Sequence, residues 1–453
     1  MYVCRHCYQT SEEYKGQCFK CSRWNCFEER DLADIPVPVV DETCARPITD
    51  VKSVIDKRFS TGIAEFDRVL GTSAGVSGIV YPSLVMLAGD PGIGKSTILL
   101  QSAANVARDV GPVIYATGEE NDGALASRAE RLDAKHERLF VMVTHSLEKI
   151  EAEVRKVQPR LLIVDSTQTV GRSDLSGEPG SIAQVKGLPP FLRPLANARG
   201  HEMAIIIVGH VTKDGVAAGP RTVEHLVDAL MYFEGEKGRQ IRFLRCPGKN
   251  RFNNTQDVGV LEMTDIGLVD VASPSAHFLA QRRADHPGTV VTSMCSGTNN
   301  RRALLVELQV LFGTSELSKV DVSVSGLDKA RVVMMCAVIA RNTNIQIENT
   351  TLHAQAMGGL DVSERAADLP IALAIASAAR GHPVHPDMVI FGEVGFMGEL
   401  RDTPQVQVRL KEAAAMGFRR ALVPPFKGLE GVEGIELVRA ETLGEAIEMA
   451  LVV

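Results

Sequence analysis

The sequence predicts an α/β protein with a small metal-binding head, and three observations carry that expectation. Short β-rich apolar runs (LVMLAG, PVIYAT, LLIVDS, AIIIVG) alternate with helical patterns such as STILLQSAANVARDV between about residues 51 and 271, as βα units around a largely parallel sheet do. Four cysteines cluster within the first 21 residues. A third stretch, residues 273–453, again mixes strands (LLVELQVLF, KVDVSVS) with Ala-rich helices (LPIALAIASAA, VRLKEAAAMGF), but without a phosphate loop. A chain of 453 residues needs more than one core. The expected division is a head at 1–30, an acidic, Pro-bearing linker at 31–50, a central α/β domain at 51–272 and a second α/β domain at 273–453.

Composition removes several classes of function. Hydrophobic residues make up 45% of the chain, too many for a disordered protein. A net charge of -7, from 49 Lys plus Arg against 56 Asp plus Glu, argues against coating nucleic acid by bulk charge. Apolar runs such as Ala204 to Val208 are far short of the roughly 20 residues that cross a bilayer, so no membrane partner is expected. The start, MYVCRHCYQT, lacks the apolar core of a secretory signal, which makes a cytoplasmic location the expectation. Nine cysteines are then not expected to form a disulfide framework.

In the head, Cys4, Cys7, Cys18 and Cys21 are spaced C-x2-C-x10-C-x2-C. Each pair places two thiolates on one knuckle, so that four sulfurs meet a tetrahedral Zn²⁺, whose binding supplies folding energy that so short a head lacks. The competing reading is a redox pair, which usually sits on a βα unit. Cys26 reads as a spare thiol beside the cluster, and Cys44, Cys246, Cys295 and Cys336 as thiols without a chemical role.

The central domain opens with the segment Gly89, Asp90, Pro91, Gly92, Ile93, Gly94, Lys95, Ser96 and Thr97, a match to G-x4-G-K-S placed between the strand LVMLA and the helix TILLQSAANVA. Its glycines let backbone N–H groups wrap a phosphate, Lys95 reaches the β and γ phosphates of ATP, and Ser96 offers its hydroxyl to Mg²⁺. The strand PVIYAT leads into Glu119 and Glu120, which put a carboxylate at the sheet edge to activate the attacking water; an acidic pair there also serves as helix N-terminal charge. Asp165, ending LLIVDS, is the expected second Mg²⁺ anchor, with a turn cap as its rival. The strand AIIIVG delivers His210, Thr212 and Lys213 to the same edge, suited to sensing the γ-phosphate or simply to a solvated loop. Between Lys237 and Arg251 stand six basic residues and no acidic one. A solvated basic strand is the default for such a run, with a nucleic-acid track or a finger completing a neighbour's ATP site as alternatives.

Taken in order, these motifs resemble one family, the bacterial RadA (Sms) DNA repair proteins. The resemblance rests on YVCRHC…GQCFKCSRWN, RFSTGIAEFDRVLG, GDPGIGKST, YATGEE, LLIVDS, VGHVTKDGVAAGPRTVEHLVD, KNRF, GGLDVSERAADLPIALAIASAARGHPV and FGEVGFMGELR, and it covers nearly the whole chain. It implies a four-cysteine zinc module, a RecA-like P-loop ATPase core and a C-terminal domain similar to the Lon protease domain. It implies ATP, Mg²⁺ and Zn²⁺, a homo-oligomeric, hexameric ring, and single-stranded and branched DNA as partners beside a RecA-type recombinase and a replicative helicase. The activity implied is ATP-driven movement on DNA in recombination and repair; the alternative is a RecA-like regulatory ATPase acting on a protein partner. By that similarity Lys249 and Arg251 act in trans on the ATP of the adjacent protomer, with Glu119 and Lys95 completing the catalytic set, and Arg172, Lys186, Lys213 and Arg221 line the DNA path.

The Lon-type nucleophile position falls at Ala366 and the Lys position near Gln407, so peptidase chemistry is not expected. Asn253 replaces the glycine that follows KNRF in the family, and asparagine can still take a left-handed conformation there at some cost. Pro189, Pro190 and Pro194 are expected to shorten the helix in which they fall, or to mark its start.

Overall fold

The computed structural model describes residues 2–4, 10–11, 13–18, 23–29, 48–50, 57–198, 201–210, 223–235, 238–255, 257–296, 302–314, 321–347, 350–426 and 431–452. They fall into two compact units, residues 1–53 and 54–453. In the first, strands Tyr2–Cys4, Thr10–Ser11 and Phe27–Glu29 form a small antiparallel sheet with Tyr2–Cys4 in the middle. Its buried centre is Cys4, Cys18, Cys26 and Phe27, mostly sulfur, with little apolar surface to offset the entropy of ordering the chain.

The second unit begins with α1 (Ala64–Leu70) and continues through β1 (Ser83–Gly89), α2 (Lys95–Asp109), β2 (Val113–Thr117), α3 (Asp122–Arg131), β3 (Leu139–Val143), α4 (Leu147–Val157), β4 (Leu161–Asp165), α5 (Ile182–Ala196), β5 (Ala204–His210), β6 (Ala229–Glu234), β7 (Ile241–Arg245), β8 (Val258–Thr264) and β9 (Gly267–Asp270). One nine-stranded sheet results, ordered β3-β2-β4-β5-β1-β6-β7-β8-β9. The strands from β3 to β6 run parallel, and β7 to β9 are added antiparallel. Strands β1, β2 and β4 are buried at every position, as a parallel sheet covered on both faces requires. Alternate residues divide between two cores: Val85 and Leu87 join Ile98, Leu99 and Val106 of α2, whereas Leu84 and Met86 join Val154 of α4 and Leu188 of α5.

Helix α5 corrects the sequence expectation. It runs unbroken from Ile182 to Ala196 with Pro189, Pro190 and Pro194 inside it. An interior proline costs about 3 kcal/mol, but Val185, Leu188, Leu192 and Leu195 form a buried stripe on this helix. Each such side chain contributes about 1.5–3 kcal/mol when fully buried, so the core keeps the helix unbroken through its three prolines.

Beyond α6 (Pro274–Leu279), the chain forms β10 (Thr289–Ser296), β11 (Arg302–Thr314), β12 (Asp321–Ser325), α7 (Lys329–Asn342), β13 (Thr350–Ala356), α8 (Asp368–Arg380), β14 (Met388–Ile390), α9 (Val406–Ala415), β15 (Arg420–Val423), β16 (Glu436–Arg439) and α10 (Leu443–Ala450). Its seven-stranded sheet is ordered β12-β13-β11-β10-β14-β15-β16. The two sheets share one core: Ile241, Phe243, Val258 and Val260 of β7 and β8 belong to the same buried cluster as Phe278, Val290 and Leu304.

A buried ionic contact fastens that junction. Glu65 of α1 is 4% exposed, and its carboxylate accepts from Arg302 Nη1 of β11 at 2.9 and 2.8 Å, from the Val260 amide at 2.8 Å and from Arg68 Nε at 3.1 Å. Asp270 closes the other side by accepting from the amides of Ala64 and Glu65, both at 2.9 Å, which satisfies two donors at the start of α1. Removing one partner of a buried pair strands the other charge. The substitution Arg302→Met is expected to lower stability by about 3 kcal/mol, the low end for such a change because Arg68 and the Val260 amide remain. A shift of the urea midpoint at unchanged slope would read it; an unaltered midpoint would show that the contact carries no weight.

Candidate active site

Strand β1 ends at Gly89, paired with His210 on β5 and Phe233 on β6, and the chain turns through Asp90 to Gly94 into α2. Glycine is required here. A Cβ on Gly89 would lie 2.4 Å from the Phe233 carbonyl oxygen, and Gly94 has a φ of 115°, the left-handed region that favours glycine. No side chain caps α2, so the amides of its first turn face the loop with the positive end of the helix dipole, a ready anion site. Lys95 Nζ donates to the carbonyls of Gly89 at 2.8 Å and Asp90 at 2.9 Å. Burial holds its pKa below the usual lysine value, against the pull of Asp165, Glu119 and Asp90.

Asp165 stands at the end of β4, 3% exposed. Its Oδ2 accepts from Ser96 Oγ and from Tyr115 Oη, both at 2.7 Å. Its Oδ1 is buried with no hydrogen-bond partner among the described residues. Burial raises the pKa of Asp165, while the two donors oppose the rise. An unsatisfied buried carboxylate oxygen beside a phosphate-loop serine fits a hydrated cation, whose water would donate to it. Ser96 and Asp165 are therefore the pair that fits Mg²⁺.

Glu119 follows β2. Its Oε1 lies 2.9 Å from His210 Nε2 and also accepts from Ser166 Oγ. The His210 bond is the main cause holding its carboxyl below the ordinary pKa, outweighing burial. His210 Nδ1 is 3.2 Å from Lys95 Nζ. An ammonium has no lone pair, so Nδ1 is the acceptor and Nε2–H donates to Glu119. Lys95, His210 and Glu119 thus form one chain across the β1-β5-β4-β2 edge. Glu120 turns away to Arg128 of α3, at 2.5 Å.

In the basic run from Lys237 to Arg251, Arg239 and Arg251 are exposed, whereas Arg242, Arg245 and Lys249 are half-buried and bonded to the protein. Arg242 Nε donates to the Ile93 carbonyl at 3.0 Å, backing the phosphate loop, and Arg245 lies 3.5 Å from Glu234. Lys249 Nζ donates to the carbonyls of Glu224 and His225, both at 3.0 Å, and Arg251 Nη1 to Asp228 Oδ1 at 2.9 Å. Desolvation lowers the pKa of Lys249. Asp228 also accepts from Arg193 and from the Leu84 amide. This network sits at the amino end of β6, where Ala229 pairs with Val85, so Lys249 and Arg251 lie about 13 Å of strand away from their own chain's phosphate loop. Asn253 does not adopt the left-handed conformation open to asparagine. The turn is closed instead by Asn250 Oδ1, which accepts from the amides of Phe252 and Asn253.

Of the four basic residues assigned to a DNA path, Lys213 and Arg221 lie outside the described residues. Lys186 is exposed on α5. Arg172 pairs with Asp174 and lies over the Phe191 ring, 4.8 Å from its centroid. The loop behind Arg172 is pinned by Gln184, 3% exposed, whose Nε2 donates to the carbonyls of Arg172, Leu175 and Gly177. In the head, Cys7 and Cys21 lie outside the described residues. The sulfurs of Cys4, Cys18 and Cys26 come within 4.8 Å of one another, and those of Cys4 and Cys26 are 3.4 Å apart. Cys26 is therefore no bystander but part of the sulfur cluster, because the pairing of Cys4 with Phe27 sets it beside the first strand. Such spacing suits a tetrahedral thiolate site, whose sulfurs sit about 3.8 Å apart.

In the C-terminal domain Ala366 is 3% exposed. Two residues before it, the Glu364 carboxylate is held by Arg409, fully buried on α9, with Nη1 and Nη2 at 2.7 and 2.6 Å. Sequence reasoning missed this pair, and it missed Tyr115, Ser166, Gln184 and Asp228 as well. Only Tyr115 carried a signal, a phenol in the middle of an otherwise apolar buried strand.

A family model described as "AAA domain" matches residues 76–216, and one described as "Subunit ChlI of Mg-chelatase" matches residues 331–427. The "Crystal structure of the RadB recombinase" covers 47% of this chain and 99% of its own, at 18% identity and a TM-score of 0.36. The DNA repair protein RadA of Pseudomonas aeruginosa is 40% identical over 457 residues, covering 99% of this chain and 98% of that protein. Those of Bacillus subtilis and Listeria monocytogenes are each 36% identical, with the same coverage. With a phosphate loop, a buried acidic anchor and nearly end-to-end similarity to these proteins, the chain belongs to the bacterial RadA family.

Proposed function

We propose that this protein is a DNA-stimulated ATPase and translocase that binds single-stranded DNA and processes branched recombination intermediates as a homo-oligomeric, hexameric ring. The observation that carries the reading is the convergence of Lys95, Ser96, Asp165, His210 and Glu119 on one sheet edge at hydrogen-bonding distance. Domains at 51–272 for the ATPase and 273–453 for a non-proteolytic Lon-like scaffold, with the head at 1–30 and its linker at 31–50, belong to the same reading.

In it, the loop from Gly89 to Thr97 holds the phosphates and Lys95 neutralises the β and γ oxygens. Mg²⁺, held by Ser96 and Asp165, would supply charge neutralisation at the phosphates. Glu119, already ionised at neutral pH and oriented by Ser166 and His210, accepts the proton of the attacking water. A γ-phosphate drawing on Lys95 competes with His210, which is how nucleotide state reaches the loop after β5. Lys249 and Arg251, held together by Asp228 and far from their own loop, stabilise charge on a neighbouring protomer's ATP. Cys4, Cys7, Cys18 and Cys21 would hold Zn²⁺ in the head. Arg172, Lys186, Lys213 and Arg221 contact DNA phosphates, and a RecA-type recombinase and a replicative helicase are the protein partners.

Steady-state ATP hydrolysis with and without single-stranded DNA, across a salt series, tests the reading. Stimulation that fades with salt is expected, with turnover abolished in Lys95→Ala and stimulation lost in Lys249→Ala. Hydrolysis indifferent to DNA would move the function to a protein-regulated ATPase, and turnover retained in Lys95→Ala would overturn the site. For the head, metal analysis is expected to find about one zinc per chain, lost in Cys4→Ser. Full zinc content in that variant would remove the head from the metal assignment.

A further inference from the structure

Asp165 divides its two oxygens. Oδ2 accepts both Ser96 Oγ and Tyr115 Oη at 2.7 Å, and Oδ1 is buried without a partner among the described residues. Tyr115 is 1% exposed in the centre of β2, and its ring packs in the core beneath α2. Register explains the contact: Thr117 pairs with Asp165 across β2 and β4, and Tyr115 stands two residues back on the same face, within reach of a phenol.

The two donors to Oδ2 are not equivalent. Ser96 is the residue whose hydroxyl turns to the cation in a phosphate-loop site. When it does, Tyr115 alone remains on Oδ2.

We propose that Tyr115 is the positioning residue of the cation site: its hydroxyl fixes the rotamer of Asp165 so that Oδ1 is presented to the water shell of Mg²⁺. The inference rests on the reading of this edge as a Mg²⁺–nucleotide site and adds to it a residue that touches neither nucleotide nor metal. Partners of this kind, which orient a ligand from behind, change metal affinity by 10–100-fold in other sites.

The test uses the full-length chain and a fluorescent ADP analogue, titrated at a series of Mg²⁺ concentrations. In Tyr115→Phe, the Mg²⁺ concentration that half-saturates tight nucleotide binding is expected to rise about tenfold, while the weak binding measured in EDTA stays as in the unaltered protein. An unchanged Mg²⁺ midpoint overturns the role of Tyr115. If the unaltered protein itself shows no Mg²⁺-dependent nucleotide binding, the underlying site reading falls, a separate outcome from failure of the tyrosine alone. Should Tyr115→Phe melt early in EDTA, the same substitution in an Asp165→Asn background decides the matter. A positioning role predicts no further rise in the Mg²⁺ midpoint there, because the carboxylate it serves is gone, whereas a merely structural role predicts the same change in both backgrounds.

Discussion

A parallel sheet buried on both faces brings the carboxyl ends of its strands to one edge, and the chemistry of this protein depends on that constraint. Gly89 pairs with His210, and Thr117 with Asp165. Four strands far apart in sequence therefore finish at the same edge, with β1 and β5 running two residues past β2 and β4. A slip of one residue in any of them would turn its functional side chain to the opposite face. The apolar runs that look like plain core, SLVMLA and LLIV, are what hold this register.

The same sheet continues into a second core without a break in packing. Strand β7 presents Arg242 to the carbonyl of Ile93 in the phosphate loop and Phe243 to Phe278, with ring centroids 6.3 Å apart. The phosphate loop and the C-terminal domain thus rest on opposite sides of one strand. Glu65 and Arg302 add an ionic fastening at the base of that strand's neighbour. In the C-terminal half, Arg409, fully buried on α9, pairs with the Glu364 carboxylate two residues before Ala366.

Much of the site was legible in the linear chain because its signals are local. The phosphate loop needs nine consecutive residues, and Asp165 and Glu119 each announce themselves by ending an apolar strand. Helix α5 was misread because proline propensity is local too, whereas the four-residue stripe that overrides it is a tertiary quantity. The partners of the basic run from Lys237 were not legible for a similar reason: Ile93, Glu224, His225 and Asp228 lie far from it in sequence or across a turn.

The sequence by itself determined the α/β class, the phosphate loop, the acidic anchors and the cysteine-rich head, each written in short-range spacing and in the period of the apolar residues. Tertiary structure alone decided that Tyr115 reaches Asp165, that His210 links Lys95 to Glu119, that Cys26 joins Cys4 and Cys18, and that Lys249 and Arg251 gather on Asp228 and its neighbouring carbonyls. The physical reason is that each of these contacts depends on strand pairing and register. Pairing energy comes from side chains meeting across strands and is not encoded in any one segment.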